Sequence, residues 1–139
     1  MTTVDDCQLI DLQRVYRPQG SITPVEGGKD IPFEIARVYY LYDVPGGESR
    51  AGHAHYDLEQ VFVSLSGAFQ VVLDDGHQTR TVELNRAYYG LYVPRLIWRE
   101  LENFSSGAVC LVLASRFYEE EDYIRDHDDF LRGKRERDG

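Results

Sequence analysis

Short runs of mainly apolar residues, separated by polar turn residues, make up most of the chain. Residues 35–42, 60–65, 68–73, 79–84 and 109–114 are rich in β-branched and aromatic side chains, and the runs are bounded by turn residues, chiefly Gly, Pro, Asp and Ser. That pattern predicts strands on half-buried sheets. Asp74-Asp75-Gly76-His77 carries the signal of a type I′ turn and predicts a hairpin between two of the runs. No helical pattern separates the strands and no repeat of roughly 20–50 residues is present, so the expected fold is all-β, a sandwich or barrel.

The C-terminal stretch reads differently. Residues 119–139 hold nine acids and five bases. Tyr118, Tyr123, Ile124, Phe130 and Leu131 stand at roughly helical spacings, which predicts one or two helical turns packed back on the body. Residues 132–139 read as a solvated end. At the other terminus, residues 7–12 form an apolar run suited to pairing with the sheet of a partner subunit, which predicts a homodimer.

Length and charge narrow the function classes. The 139 residues suit one domain, 1–139, and folding at this size removes roughly two-thirds of the unfolded chain's surface from water. A formal net charge of -9 argues against a nucleic-acid partner, because phosphate contacts need clustered Lys and Arg. No apolar run reaches the ~20 residues of a membrane-spanning helix, and the acidic N-terminus is unlike a signal peptide, so the expected location is the cytoplasm with no membrane partner. Cys7 and Cys110 are far apart in sequence and read as ordinary thiols.

Candidate chemistry gathers in residues 50–60. His53 and His55 are two residues apart, which on a strand turns both imidazoles to one face, and Glu59 would share that face if the strand were regular. Two imidazoles and a carboxylate are a metal-ligand set. They are equally a proton-transfer pair, or polar groups satisfied inside a barrel. The arrangement is similar to the first cupin motif, whose second motif supplies a further histidine. Arg99 stands at that place here, and a guanidinium repels a metal ion, so no metal and no cofactor are expected. His77 and His127 read as surface residues.

On the strand at 37–42, alternation puts Arg37 and Tyr39 on one face and Val38, Tyr40 and Tyr42 on the other. An arginine there needs an anionic partner, either a phosphate or an internal Glu. Arg50 and Arg99 add cations, so a cationic pocket suited to a diphosphate is expected within an acidic chain. Trp98 and the aromatic run 88–93 before it read either as stacking surfaces for a base or sugar or as core or interface packing.

Taken in order, several motifs resemble the sugar 3,4-ketoisomerases that act on dTDP-4-keto-6-deoxyglucose. They include Gly20-Ser21-Ile22, Ile31-Pro32-Phe33, Arg37-Val38-Tyr39-Tyr40, Gly52-His53-Ala54-His55, Leu58-Glu59-Gln60, Leu73-Asp74-Asp75-Gly76, Gly90-Leu91-Tyr92-Val93, Trp98 and Leu113-Ala114-Ser115. The resemblance implies a single-domain cupin of the jelly-roll β-barrel type, free of metal, in a dimer that exchanges its N-terminal strands (residues 1–14). It implies a dTDP-sugar as the small-molecule substrate, His53 and His55 as the catalytic pair, and Arg37 and Tyr39 near the ligand. Of the two histidines, His55 is taken as the carbon base. Gln19 and Arg99 depart from residues common in the family, and both are expected to line the sugar site and bear on the configuration at carbon 4. With Arg99, the gluco product is favoured over galacto.

Three rival readings stand. A dTDP-sugar 3,5-epimerase would pair its histidine base with an Asp and a Tyr acid, a set the sequence does not place. A non-catalytic nucleotide-sugar-binding cupin would need only the pocket, and a metal-dependent dioxygenase would need a ligand where Arg99 stands.

Overall fold

The computed structural model describes residues 1–138, with every side chain except that of residue 51. Ten strands form two five-stranded antiparallel sheets. β1 (Gln8–Asp11), β7 (Tyr89–Val93), β4 (Gln60–Ser66), β9 (Val109–Ala114) and β2 (Arg37–Leu41) lie side by side in the first. β10 (Tyr123–Ile124), β3 (Arg50–His55), β8 (Trp98–Glu102), β5 (Phe69–Asp74) and β6 (Thr79–Leu84) make the second. The result is the expected jelly-roll fold of the cupin type, with one α-helix among the described residues, α1 (His127–Arg137), packed on the outer face of the second sheet.

The two sheets meet through alternate residues. Phe69, Val71 and Leu73 of β5 and Val82 and Leu84 of β6 face Phe62, Leu91, Val93, Cys110 and Val112 of the first sheet in one continuous core. β4 is central and covered on both sides, which is why three consecutive residues, Val61, Phe62 and Val63, are apolar and buried. Its outward Val61 and Val63 are roofed by Leu12, Ile31 and Phe33 from the long segment between β1 and β2. β1 pairs with β7 of its own chain, Gln8 opposite Tyr92 and Asp11 opposite Tyr89.

Three expectations are corrected. The β5–β6 connection is a hairpin, but its loop is four residues long rather than a two-residue type I′ turn. The Asp75 carboxylate accepts from the amides of His77 and Gln78, both at 2.8 Å, and only Gly76 has a positive φ, +93°. Tyr123 and Ile124 are a short strand against β3, not helix, because Tyr123 lies opposite His55 and Ile124 opposite Ala54. Residues 132–138 are not a loose end. The helix continues to Arg137, and Lys134, 4% exposed, is buried with an ion pair of 2.9 Å to Asp138. Asp126 caps this helix through the amides of Asp128 and Asp129.

Candidate active site

A cavity of about 520 Å³ opens between the sheets. β2 contributes Arg37 and Tyr39, β3 contributes Arg50 and His53, and β8 contributes Arg99. The alternation of β3 explains the histidines. Gly52 and Ala54 turn outward, under Trp98 and against Ile124 and Phe130, so His53 and His55 turn inward. Gly52 is required there, since a Cβ would come within 2.6 Å of the Trp98 indole.

The two imidazoles are stacked in depth. His53 lies on the cavity wall, whereas His55 sits behind it, fully buried, with ring centroids 5.0 Å apart. Tyr123 covers both rings, its centroid 4.3 Å from that of His55 and 5.4 Å from that of His53. Asp122 Oδ2 lies 3.3 Å from His55 Nδ1, close enough for charge attraction although poorly aligned for a hydrogen bond. The same carboxylate accepts from the amides of Asp57 at 2.9 Å and Leu58 at 3.2 Å. Burial pushes the His55 imidazolium down to about 4, outweighing the pull of Asp122 in the other direction. Burial alone would raise the Asp122 carboxyl, but His55 and the two amides together hold it below the usual carboxylate range.

Arg99 lies directly across the β3–β8 ladder from His53. It is 1% exposed, and no carboxylate lies within ion-pair distance of it among the described residues. Its Nε and Nη2 donate to the Ile97 carbonyl at 3.1 and 3.0 Å, and Nη1 donates to Gln60 Oε1 at 2.5 Å. Burial pushes its pKa down to about 10, which still leaves the guanidinium charged at neutral pH. Gln60 in turn donates to the Tyr39 hydroxyl at 2.9 Å. Burial raises the Tyr39 phenol, so it keeps its proton and can donate into the cavity. Arg37 stands over the Tyr39 ring with its Nη2 3.5 Å from the Tyr123 hydroxyl. The cavity wall is thus cationic, and Asp122 lies behind the imidazoles.

Several expected site residues lie elsewhere. Trp98 faces out of the sandwich, packed on His127 at 5.0 Å and Phe130 at 5.9 Å, because β8 turns Arg99 and Leu101 inward and leaves Trp98 on the opposite face. Gln19 is exposed in the turn bracketed by the Val15–Ile22 bridge and does not line the cavity of its own chain. Glu59 leaves the face of His55 because β3 ends at that residue, and its carboxylate instead accepts from the Tyr92 hydroxyl. His77 and His127 are both exposed as expected, and His127 is paired with Asp74 at 2.8 Å. Asp122, Tyr123 and Gln60 are the site residues that sequence reasoning missed. Gln60 had a usable signal, since it stands two residues before the inward Phe62 on one strand. A two-residue strand such as β10 shows no period.

The histidine, aspartate and tyrosine that a 3,5-epimerase would need are therefore brought together as His55, Asp122 and Tyr123. The comparisons decide the family. Residues 5–135 match the model of the family described as FdtA: WxcM-like, C-terminal. The TDP-4-oxo-6-deoxy-α-D-glucose-3,4-oxoisomerase of Aneurinibacillus thermoaerophilus is 45% identical over 123 residues, 88% of each chain. A histidine-to-asparagine variant of the 3,4-ketoisomerase QdtA of Thermoanaerobacterium thermosaccharolyticum, in complex with TDP-4-keto-6-deoxyglucose, superposes with a TM-score of 0.92. It is 39% identical, covering 95% of this chain and 96% of that one. The TDP-quinovose 3,4-ketoisomerase WlaRB of Campylobacter jejuni gives a TM-score of 0.88 at 44% identity, covering 91% and 98%. With one family model matching residues 5–135 and these three relatives all named as 3,4-ketoisomerases or oxoisomerases, the chain belongs to the FdtA-like family of dTDP-sugar 3,4-ketoisomerases and is an isomerase.

Proposed function

We propose that this enzyme converts dTDP-4-keto-6-deoxyglucose into dTDP-3-keto-6-deoxyglucose, retaining the gluco configuration at carbon 4. The observation that carries the reading is the placement of two imidazoles, one behind the other, on the wall of a cavity whose other ionisable groups are mainly guanidinium and phenol. The ketone at carbon 4 acidifies the C3–H bond. A neutral imidazole takes that proton and the electron pair moves through carbon 4 onto O4, giving an enediolate; the O3–H proton then passes to O4, and the imidazolium gives its proton to carbon 4 as the C3=O bond forms. Atoms and charge balance, and the ketone ends at carbon 3.

His53 is the group that meets the sugar, and His55 relays protons behind it, with Asp122 holding the buried ring. This reverses the order expected from sequence, and the supporting fact is that His55 has no exposed surface. The Arg99 guanidinium and the Tyr39 hydroxyl supply positive potential and a donor for the enediolate oxygen. Arg37 and Arg50 serve the diphosphate. Arg99 stays protonated and cannot readily return a proton to the other face of carbon 4, which favours gluco. The 44%-identical relative is named for quinovose, the 6-deoxy sugar of gluco configuration, in keeping with this.

The set His55, Asp122 and Tyr123 would also suit a 3,5-epimerase, which likewise removes a proton next to the C4 ketone, from carbon 3 or carbon 5. The two reactions differ in where it returns. Incubation with dTDP-4-keto-6-deoxyglucose and NMR of the product separates them: a 3-keto sugar is expected, and a sugar still carrying its ketone at carbon 4, with carbon 3 or 5 inverted, contradicts the proposal. We also propose a homodimer, for which β1, at the edge of its sheet with Leu9 exposed, supplies the surface.

A further inference from the structure

The loop between β7 and β8 ties the far end of the chain to the cavity. Leu96 donates its N–H to the His55 carbonyl at 2.8 Å, and its own carbonyl accepts from Lys134 Nζ at 2.8 Å. The next carbonyl, that of Ile97, accepts two bonds from the Arg99 guanidinium. Two consecutive peptides therefore touch β3 at His55 and the buried cation of β8, and Lys134 fixes them to α1.

Leu96 is fully buried and has a φ of +56°, a conformation a side chain of this kind rarely adopts unless its surroundings impose it. Here both of its backbone polar groups are engaged. Lys134 is an expensive way to engage one of them. An ammonium has to be paired when buried, and this one uses Asp138 and the Thr2 carbonyl for that purpose. An apolar side chain would fill the same volume without that cost, but it could not hold the Leu96 carbonyl.

We propose that Lys134 is a positioning residue for the isomerase site. By fixing the Leu96 peptide it holds the backbone of His55 and the acceptor of Arg99 in one arrangement, so the C-terminal turn of α1 governs the alignment of groups it does not touch. The inference rests on the assignment of His55 and Arg99 to the chemistry.

The test compares the wild type with Lys134→Met below both melting temperatures, by kcat, KM, calorimetric affinity for TDP and ¹⁵N-imidazole NMR of His55. Displacement of reacting groups by a fraction of an ångström predicts a kcat loss of ~10-fold or more, with KM and TDP affinity within ~2-fold and the His55 signals shifted. In Lys134→Gln, whose amide can donate to the same carbonyl, part of the rate returns. Unchanged kcat and unchanged His55 signals in folded Lys134→Met overturn the proposal. Shifted signals with unchanged kcat support the clamp and instead overturn the role of His55. Should Lys134→Met not fold, Asp138→Asn removes the ion pair that fixes the ammonium and is read in the same way.

Discussion

Tyr123 lies opposite His55 across the β3–β10 ladder, with its ring edge-on to the imidazole at 4.3 Å. This contact closes the cavity floor and excludes water from the inner histidine. It also brings Asp122, one residue earlier, to the His55 Nδ1. The short last strand is therefore part of the site as well as of the fold.

Removing either imidazole tests the proton relay. His53→Asn is expected to lower kcat on dTDP-4-keto-6-deoxyglucose by ~10²–10⁴-fold, the usual cost of losing a general acid or base. His55→Asn is expected to fall in the same range, and Asp122→Asn by on the order of 10²-fold. Calorimetric binding of TDP should persist in all three. Near-normal turnover by both histidine variants would return the pair to a packing role.

Acid sensitivity follows from the buried ring. His55 titrates at about 4 in the folded chain against an ordinary 6.5, so between those values the unfolded chain binds the proton more readily. Stability therefore rises with pH across that window and is lost on acidification through it, by up to about 3 kcal/mol. Asp122, held low, acts in the same sense, its contribution being present above the ordinary carboxylate pKa and lost below it. Urea midpoints at about pH 5 and 7 should differ for the wild type and converge for His55→Asn, while equal wild-type midpoints contradict this account.

Arg99 carries two expectations. A charged guanidinium across the ladder from His53 is a poor neighbour for a metal ion, so activity should survive dialysis against a chelator. Loss of activity on chelation, with recovery on adding one metal, would refute the proton-only mechanism.

Arg99 also bears on stereochemistry. The trapped wild-type product should show a large coupling between the protons on carbons 4 and 5, as gluco geometry requires. A histidine at that position can donate from the other face, and a small coupling in Arg99→His would support the reading. A small coupling from the wild type would rule it out.

Assembly is tested by light scattering. The chain should be a dimer at micromolar concentration, and deleting residues 1–14 should destabilise it. That deletion removes β1 together with Val4 and Cys7, which are in the core, and the bonds of Arg80 to the carbonyls of Val4 and Cys7. A monomeric wild type is the contrary result.

The sequence by itself determined whatever depends on local composition and period. Five strand runs follow from their β-branched and aromatic content, the hairpin after Asp74 from its turn residues, and the shared face of His53 and His55 from side chains alternating every residue along a strand. The pairing of Arg37 with Tyr39 on one face of β2 is of the same kind. Only the tertiary structure decided which of two faces looks inward, and so turned Trp98 away while burying Arg99. It also decided what the C-terminal segment does. A strand of two residues has no period to read, and Tyr123 and Asp122 reach His55 only because β10 pairs with β3 from more than sixty residues away. Depth was equally illegible. His53 and His55 are equivalent in spacing, and burial by Tyr123 and the opposing sheet makes one a wall of the cavity and the other its support.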